Sequence, residues 1–254
     1  MRIDSLVFVG TSHFGPVSRV QDIRSNMDRL EIDRAVLCPF HPVGGDWTTA
    51  NNRVAEWRAD RPDRHYALGR VDPNFGKSAV IEAERALGEL AMDGLYLDPW
   101  DERFSLASST IDAVVEVASR AGRPIVVAGG FPWVSEPLQL ADLAKRHPST
   151  PFVATHGANI NISGLSLLDA EFALREAPNL HLLSNGVYRE DFLRAIVSDH
   201  GAHRLMYASA APLTNMELEL KRVLWAGFDD GALTQVLHGN WQQWTSAPQI
   251  SCDL

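Results

Sequence analysis

The chain has 254 residues, of which 45% are apolar, and its formal net charge at pH 7 is -9. This length suffices for the core of one α/β barrel, and the acidic balance without a basic cluster argues against nucleic acid or an anionic membrane as a partner. The N-terminal segment lacks the pattern of a signal peptide, and no stretch approaches the ~20 apolar residues of a membrane span. We therefore expect a cytoplasmic protein that acts on a small molecule.

Eight short apolar runs predict β-strands, spaced at the roughly 30-residue intervals that are typical of βα units. Most of the runs are continuously apolar, which indicates parallel strands covered on both faces. In chain order the predicted strands are residues 3–9, 34–40, 65–71, 94–97, 124–127, 152–155, 180–183 and 204–207.

The segments between the strands have the periodicity of amphipathic helices. Residues 111–122 are an example, with Ser109 before them and Gly122 after them as end signals. Thr214 and Glu217 predict a capping box for a helix that runs to about residue 225. Strands and helices alternate about eight times, and no Gly-rich phosphate loop follows a strand, so we predict a (β/α)8 TIM barrel, an α/β fold. One domain covers residues 1–254, with a C-terminal tail at 245–254.

Sequence motifs in a fixed order resemble those of the amidohydrolase superfamily. They are Ile3-Asp4, the Pro-Asp-Arg at 62–64, Val71-Asp72-Pro73, Gly94 leading into LYLDP, PFVATHG at 151–157, and ASAAP at 208–212 followed by Gly239-Asn240. The resemblance covers nearly the whole chain and is to the amidohydrolase-related branch of metal-dependent hydrolases and decarboxylases. It implies an enzyme whose site lies at the carboxyl ends of the barrel strands.

The resemblance also implies five metal-site positions, and four of them have lost their ligands here. The family's HxH falls on Leu6 and Phe8, its fifth-strand His on Ala128, its sixth-strand His on His156 and its eighth-strand Asp on Ala210. Leu, Phe and Ala offer no lone pair to a metal, and one imidazole does not hold the ion. We therefore predict no metal and no cofactor, with Leu6 and Phe8 pointing into the barrel as apolar packing.

Three polar residues at strand ends are the candidates for chemistry. His156 and Asp98 are the predicted catalytic pair, because an imidazole near its usual pKa and a carboxyl in apolar surroundings both suit proton transfer. The alternatives are a core histidine, and for Asp98 a loop cap or a partner of Arg70. Arg70 needs an anion if buried, either Asp98 in a structural ion pair or a substrate carboxylate.

Other residues that follow strand ends are candidates for substrate binding. Several aromatic side chains at one rim indicate either an apolar ligand or a subunit interface, as in a homodimer. The candidates are His13, His41, Asn185, Tyr188, Trp100 and Trp133, with Trp47, Phe14, Phe75 and Phe131 in comparable positions.

Three hypotheses follow for the function. The first is a metal-independent amidohydrolase-like enzyme that uses acid/base chemistry for hydrolysis or for a lyase, isomerase or cyclisation step. The second is a catalytically inactive barrel that binds a ligand or a partner. The third is a metal-dependent hydrolase whose ligands are rearranged to His156, Asp98, His41 and His13.

Overall fold

A computed structural model describes residues 1–13, 15, 17–160 and 164–245. The predicted rim residue Phe14 and nearly all of the predicted tail lie outside the described residues. The strands are β1 (Ile3–Thr11), β2 (Val17–Ser18), β3 (Arg34–Pro39), β4 (His65–Arg70), β5 (Gly94–Leu97), β6 (Ile125–Val127), β7 (Phe152–Ala154), β8 (Leu180–Leu183) and β9 (Leu205–Met206). The helices are α1 (Val20–Arg29), α2 (Trp47–Asp60), α3 (Lys77–Leu87), α4 (Asp112–Arg120), α5 (Pro137–Arg146), α6 (Gly164–Glu176), α7 (Glu190–His200), α8 (Met216–Trp225), α9 (Asp230–Thr234) and α10 (Asn240–Thr245).

The strands form a closed, single-domain barrel, as predicted. Strands β1 and β3 to β9 pair in parallel in chain order, and β2 is a short antiparallel addition to β1. Backbone hydrogen bonds close the barrel between β1 and the segment that follows β9, from Phe8 N to Ala211 O at 2.8 Å and from Ala210 N to Leu6 O at 2.9 Å. All eight predicted strands are confirmed, with ends that differ by at most two residues.

Two apolar layers hold the barrel together. The outer layer lies between the strands and the helices, where α4 buries Val114, Val115 and Val117. Each such side chain contributes about 1.5–3 kcal/mol through burial. The inner layer fills the barrel and includes Leu6 and Phe8, which confirms their predicted inward direction.

A register shift in β1 separates these inward residues from Asp4. Because the pairing slips between Asp4 and Val7, Ile3 and Leu6 both join the inner layer although they are three residues apart. Asp4 is fully buried and accepts hydrogen bonds from the backbone of Ser209 at 2.8 Å and of Leu6 at 3.4 Å, while its Oδ2 atom has no partner among the described residues. Burial raises the pKa of Asp4 from 3.8 to about 7.

The predicted capping box at Thr214 and Glu217 is wrong. Helix α8 begins at Met216, and the side chain of Asn215 caps it by accepting from the Leu218 N–H at 3.0 Å. The Thr214 hydroxyl instead donates to the carbonyl of Ser209. The Glu217 carboxylate forms ion pairs with Arg29 and Lys221 at the surface.

Within the described ranges, none of the helices has the length and apolar character needed to cross a membrane.

Candidate active site

A cavity of about 240 Å³ opens at the carboxyl ends of the strands. All five positions that the sequence resemblance assigns to the family's metal site contribute to its wall: Leu6, Phe8, Ala128, His156 and Ala210. They come from different parts of the chain, so their convergence supports the residue-by-residue correspondence. The other lining residues are Ser12, Phe40, Arg70, Tyr96, Asp98, Trp100, Asp101, Phe131, Thr155, Asn185, Leu213 and Thr214.

The donor set of this cavity does not fit the family's metal. Four of the five corresponding residues have hydrocarbon side chains, whereas a catalytic zinc ion takes about three protein N, O or S ligands. Among the described residues, no three His, Cys, Asp or Glu side chains are grouped so that they could hold an ion. In the described part of the chain, the rearranged metal site is therefore not formed by its proposed ligands His156, Asp98, His41 and His13.

The backbone around His156 aims its imidazole at the cavity. His156 has φ 58° and ψ 25°, and the next residue, Gly157, has φ 60°, so the chain turns sharply directly after β7. A Cβ atom on Gly186 would lie only 2.9 Å from the His156 Cδ2 atom. The turn at Asn185-Gly186 thus provides the space that the ring occupies, in addition to its local role as a turn signal.

The His156 ring is held by polar and aromatic neighbours. Its Nδ1 atom lies 2.7 Å from the Thr155 hydroxyl, and its edge packs on Phe131 at a centroid distance of 5.8 Å. The backbone N–H of His156 donates to Asn185 Oδ1 at 3.3 Å. Burial lowers the pKa of His156 to about 4, so the imidazole is neutral at pH 7 and can accept or donate a hydrogen bond.

Asp98 lies on another part of the cavity wall, directly after β5. Its Oδ2 atom accepts from the Tyr96 hydroxyl at 3.1 Å, and its Oδ1 atom accepts from the Asp101 N–H at 3.1 Å. Burial raises the pKa of Asp98 to about 7, and the carboxylates of Glu102 and Asp101 add to the rise although Arg70 opposes it. The carboxyl group therefore exchanges its proton near neutral pH, as a general acid or base requires.

Arg70 forms a buried ion cluster with the loop that follows β5. Its Nε atom donates to Glu102 at 2.7 Å, and its Nη2 atom lies 2.9 Å from Asp101 and 3.4 Å from Asp98. Its Nη1 atom donates to the Pro39 carbonyl at 3.4 Å. All three guanidinium nitrogens have protein partners, so the geometry favours the structural ion pair over a substrate carboxylate.

The remaining sequence candidates divide into residues at the cavity and residues away from it. Asn185 is fully buried at the wall, and its Nδ2 atom has no hydrogen-bond partner within the described residues. Trp100 is half exposed and stacks on Phe131, with ring centroids 5.4 Å apart. Trp133 and Tyr188 are 80% and 50% exposed and do not line the cavity, so the structure does not bring them to the site.

The two loop histidines form a neighbouring group. His41 packs edge-on against His13 at 5.0 Å and against Trp47 at 4.9 Å. Its Nδ1 atom is 3.8 Å from Glu102. Neither histidine lines the cavity, so their predicted contact with substrate does not follow from this geometry. Phe75 is exposed beside a separate shallow pocket with Trp47.

The sequence analysis missed several polar residues of the site, among them Tyr96 and Asp101 on the cavity wall and Glu102 beside it. Tyr96 shares the inward parity of Asp98, which directly follows the same strand, a signal that the sequence contains. Asp101 and Glu102 carry no such signal, because their role depends on an arginine about 30 residues earlier.

The comparisons with known proteins decide the family. The amidohydrolase family model (Amidohydro_2) matches residues 16–240. The chain belongs to the amidohydrolase family. No curated protein sequence matches it.

Solved structures of similar fold cover nearly all of the chain. They include 5-carboxyvanillate decarboxylase from Sphingomonas paucimobilis, with a TM-score of 0.78 at 16% identity over 96% of this chain and 98% of that one. A TIM-barrel protein from Bordetella bronchiseptica has a TM-score of 0.79 at 16% identity over the same shares. A dihydroxybenzoic acid decarboxylase from Polaromonas, with bound manganese, has a TM-score of 0.76 at 15% identity over 96% of both chains. At these identities the likeness establishes the shared fold of this member of the amidohydrolase family.

Proposed function

We propose that this chain is a metal-independent enzyme that transfers a proton on a small, partly apolar organic molecule, in a reaction of the lyase or isomerase kind. The observation that supports the proposal most strongly is the pKa of about 7 for Asp98 at the wall of an otherwise largely apolar cavity. A carboxyl group with this pKa is suited to take a proton from one substrate atom and return it to another.

His156 is the second polar group that the substrate would meet. The sequence led us to expect a pKa near the usual value for its ring, but burial lowers that pKa to about 4, so the ring is neutral and only weakly basic at pH 7. We therefore expect His156, hydrogen-bonded to Thr155, to orient the substrate while Asp98 carries the proton.

Proton transfer is better supported than hydrolysis. Attack of water on a carbonyl group needs a donor or cation that stabilises the negative oxygen that develops. The nitrogens of Arg70 are engaged by protein groups, and the four hydrocarbon residues at the ligand positions cannot supply that stabilisation. Asn185 Nδ2 is a neutral donor at the wall without a partner among the described residues, and a neutral amide stabilises a negative oxygen less than the metal or cation that it would replace.

A ligand-binding protein without catalysis is the second candidate. It is favoured by the hydrocarbon floor of Leu6, Phe8, Ala128 and Ala210, which would hold an apolar ligand as readily as a substrate. It predicts that small molecules bind but that none is chemically changed.

Deuterium uptake from heavy water tests the proposal whatever the product of the reaction is. A panel of small aromatic and alicyclic compounds is incubated with the full chain, and NMR detects C–H positions that exchange. We expect exchange whose rate rises with pH through about 7, since Asp98 must be ionised to act as base.

The variant Asp98→Asn removes the titrating carboxyl but keeps the side-chain shape. Its exchange rate should fall at least ~100-fold, the lower end for loss of a general base, while Asp142→Asn, the same substitution at an exposed site on α5, should retain the wild-type rate. An unchanged rate in Asp98→Asn, or loss of exchange when the wild-type protein is treated with a chelator, would contradict the proposal.

A further inference from the structure

The charge on the cavity wall restricts the substrate. Arg70 is the cationic residue among those that line the cavity, and it is surrounded by Asp98, Asp101 and Glu102. Three carboxylates around one guanidinium leave the cluster with an excess of negative charge, even when Asp98 holds a proton. A bound carboxylate would face this cluster without a free cation from the described residues to compensate it.

One carboxylate oxygen remains open to a ligand. Asp101 uses its Oδ2 atom to accept from Arg70 at 2.9 Å. Its Oδ1 atom makes no hydrogen bond with the described residues, and the side chain lines the cavity while remaining partly exposed. An ammonium group at this position would form a charge-assisted hydrogen bond.

Two stacked pairs of aromatic rings line the same cavity. Trp100 stacks on Phe131 with an interplanar angle of 16°, and Phe8 stacks on Phe40 with centroids 5.2 Å apart. The face of an aromatic ring attracts a cation, and the attraction is stronger where water is excluded. Carboxylates and aromatic rings together form the kind of surface that recognises an organic ammonium ion.

The floor of the cavity sets the character of the rest of the ligand. Leu6, Ala128 and Ala210 present hydrocarbon to it. A cavity of about 150 Å³ holds benzene, so about 240 Å³ accommodates a single ring with a short substituent. The fully buried Asn185 is a second sign of a site shaped for a ligand, because its Nδ2 donor has no partner among the described residues and calls for an acceptor atom on the body of the ligand, away from the ammonium end.

We infer that the cavity binds a small organic amine as its ammonium ion, with the cationic end between Asp101 and the aromatic rings and the apolar body on the floor. The inference rests on the proposed function, because it names the substrate class for the same site. It sets this chain apart from solved neighbours such as 2,6-dihydroxybenzoate decarboxylase, which was crystallised with 2,6-dihydroxybenzoate.

Three probes of nearly the same shape test the inference: benzylamine, benzyl alcohol and benzoate. Their affinities for the full chain are measured by isothermal titration calorimetry at pH 7.5. We expect benzylammonium to bind at least ~10-fold more tightly than benzyl alcohol, as a charge-assisted contact and a cation–π contact together imply, and benzoate to bind more weakly than the alcohol. Benzoate binding more tightly than the alcohol, or an amine no tighter than the alcohol, would overturn the inference.

A matched pair of variants locates the contact. Asp101→Asn should remove most of the preference for the amine over the alcohol, whereas Asp142→Asn should leave it intact. A full preference in a folded Asp101→Asn protein would show that Asp101 does not receive the ammonium group. If Asp101→Asn does not fold, the ranking of the three probes in the wild-type chain still decides the matter.

The two proposals fail in different ways. Probe binding requires no turnover, so a preference for the amine without any deuterium exchange would leave the inference standing and refute the enzyme. Deuterium exchange on neutral or acidic compounds, without binding of benzylamine, would support the enzyme and refute the inference.

Discussion

Replacing Arg70 by methionine tests the buried ion cluster. Arg70 is 1% exposed and contacts carboxylate oxygens of Glu102 at 2.7 Å and Asp101 at 2.9 Å. Methionine keeps much of the side-chain volume but removes the charge, which leaves three carboxylates close together without their cation. Breaking a buried ion pair by removing one partner costs about 3–5 kcal/mol.

That cost should be visible in thermal unfolding. For a chain of this size, 1 kcal/mol corresponds to roughly 2–4 °C in Tm, so we expect Arg70→Met to lower Tm by about 6–20 °C at pH 8. The control is Arg120→Met, which removes the same charge from an exposed pair with Glu84 at 3.1 Å and should change stability by less than about 1 kcal/mol.

The pH dependence supplies a second check on the same variant. Arg70 lowers the pKa of Asp98, so its removal moves that pKa above 7. A folded-state pKa above the unfolded value stabilises the protein at low pH, and this contribution is lost as the pH rises through the folded value. The loss in Arg70→Met should therefore be smaller at pH 5 than at pH 8. A loss below about 1 kcal/mol at pH 8, or an equal loss at both pH values, would refute the reasoning.

Three further predictions concern other parts of the barrel. The pKa of Asp4 is raised from 3.8 to about 7 in the folded state, so its contribution to the free energy of unfolding is lost as the pH rises through 7. Asp4→Asn should therefore reduce the decline in that free energy between pH 5 and pH 8 by about 3 kcal/mol, as measured by urea unfolding. Equal declines in the variant and the wild type would contradict this. Gly186→Ala should destabilise the chain more than Gly122→Ala and should also lower the rate of deuterium exchange. Both glycines have a positive φ, but only a Cβ atom on Gly186 would meet His156. Equal effects of the two substitutions would show that this contact is unimportant. Tyr188→Phe and Trp133→Ala should retain wild-type exchange rates, because neither side chain lines the cavity, and a large loss in either would mean that the exposed rim closes over the substrate.

The sequence predicts the barrel well because the signals for its strands lie within short segments of the chain. Each strand is a continuous apolar run between turn signals, and strands of this kind pair in parallel whatever their detailed contacts. The inward direction of Leu6 and Phe8 follows from the strand period alone, and it holds in the structure. The register shift after Asp4 does not follow, since the contact that Asp4 makes there is with the backbone of Ser209, 205 residues later in the chain.

The site is predictable only in part. Strand-end residues such as His156, Asp98 and Asn185 reach the cavity because the barrel fixes the positions of strand ends. Residues farther along the loops do not obey this rule. Trp133 lies well beyond the end of β6 at Val127 and points to solvent. Asp101 and Glu102 were missed because their contacts with Arg70 join residues that are 31 and 32 positions apart.

The cap of α8 shows the same limit on a small scale. Thr214 and Asn215 are both good capping residues, and the sequence does not choose between them. The choice is made by the carbonyl of Ser209, which takes the Thr214 hydroxyl and leaves Asn215 as the cap.

The metal content of the full chain, purified without a histidine tag, tests the central claim most directly. Elemental analysis is combined with the deuterium-exchange assay before and after chelation. Because the cavity offers hydrocarbon at four of the five ligand positions, we predict a substoichiometric metal content and an unchanged exchange rate after chelation. One bound ion per chain, with exchange lost on its removal and restored on its return, would contradict it.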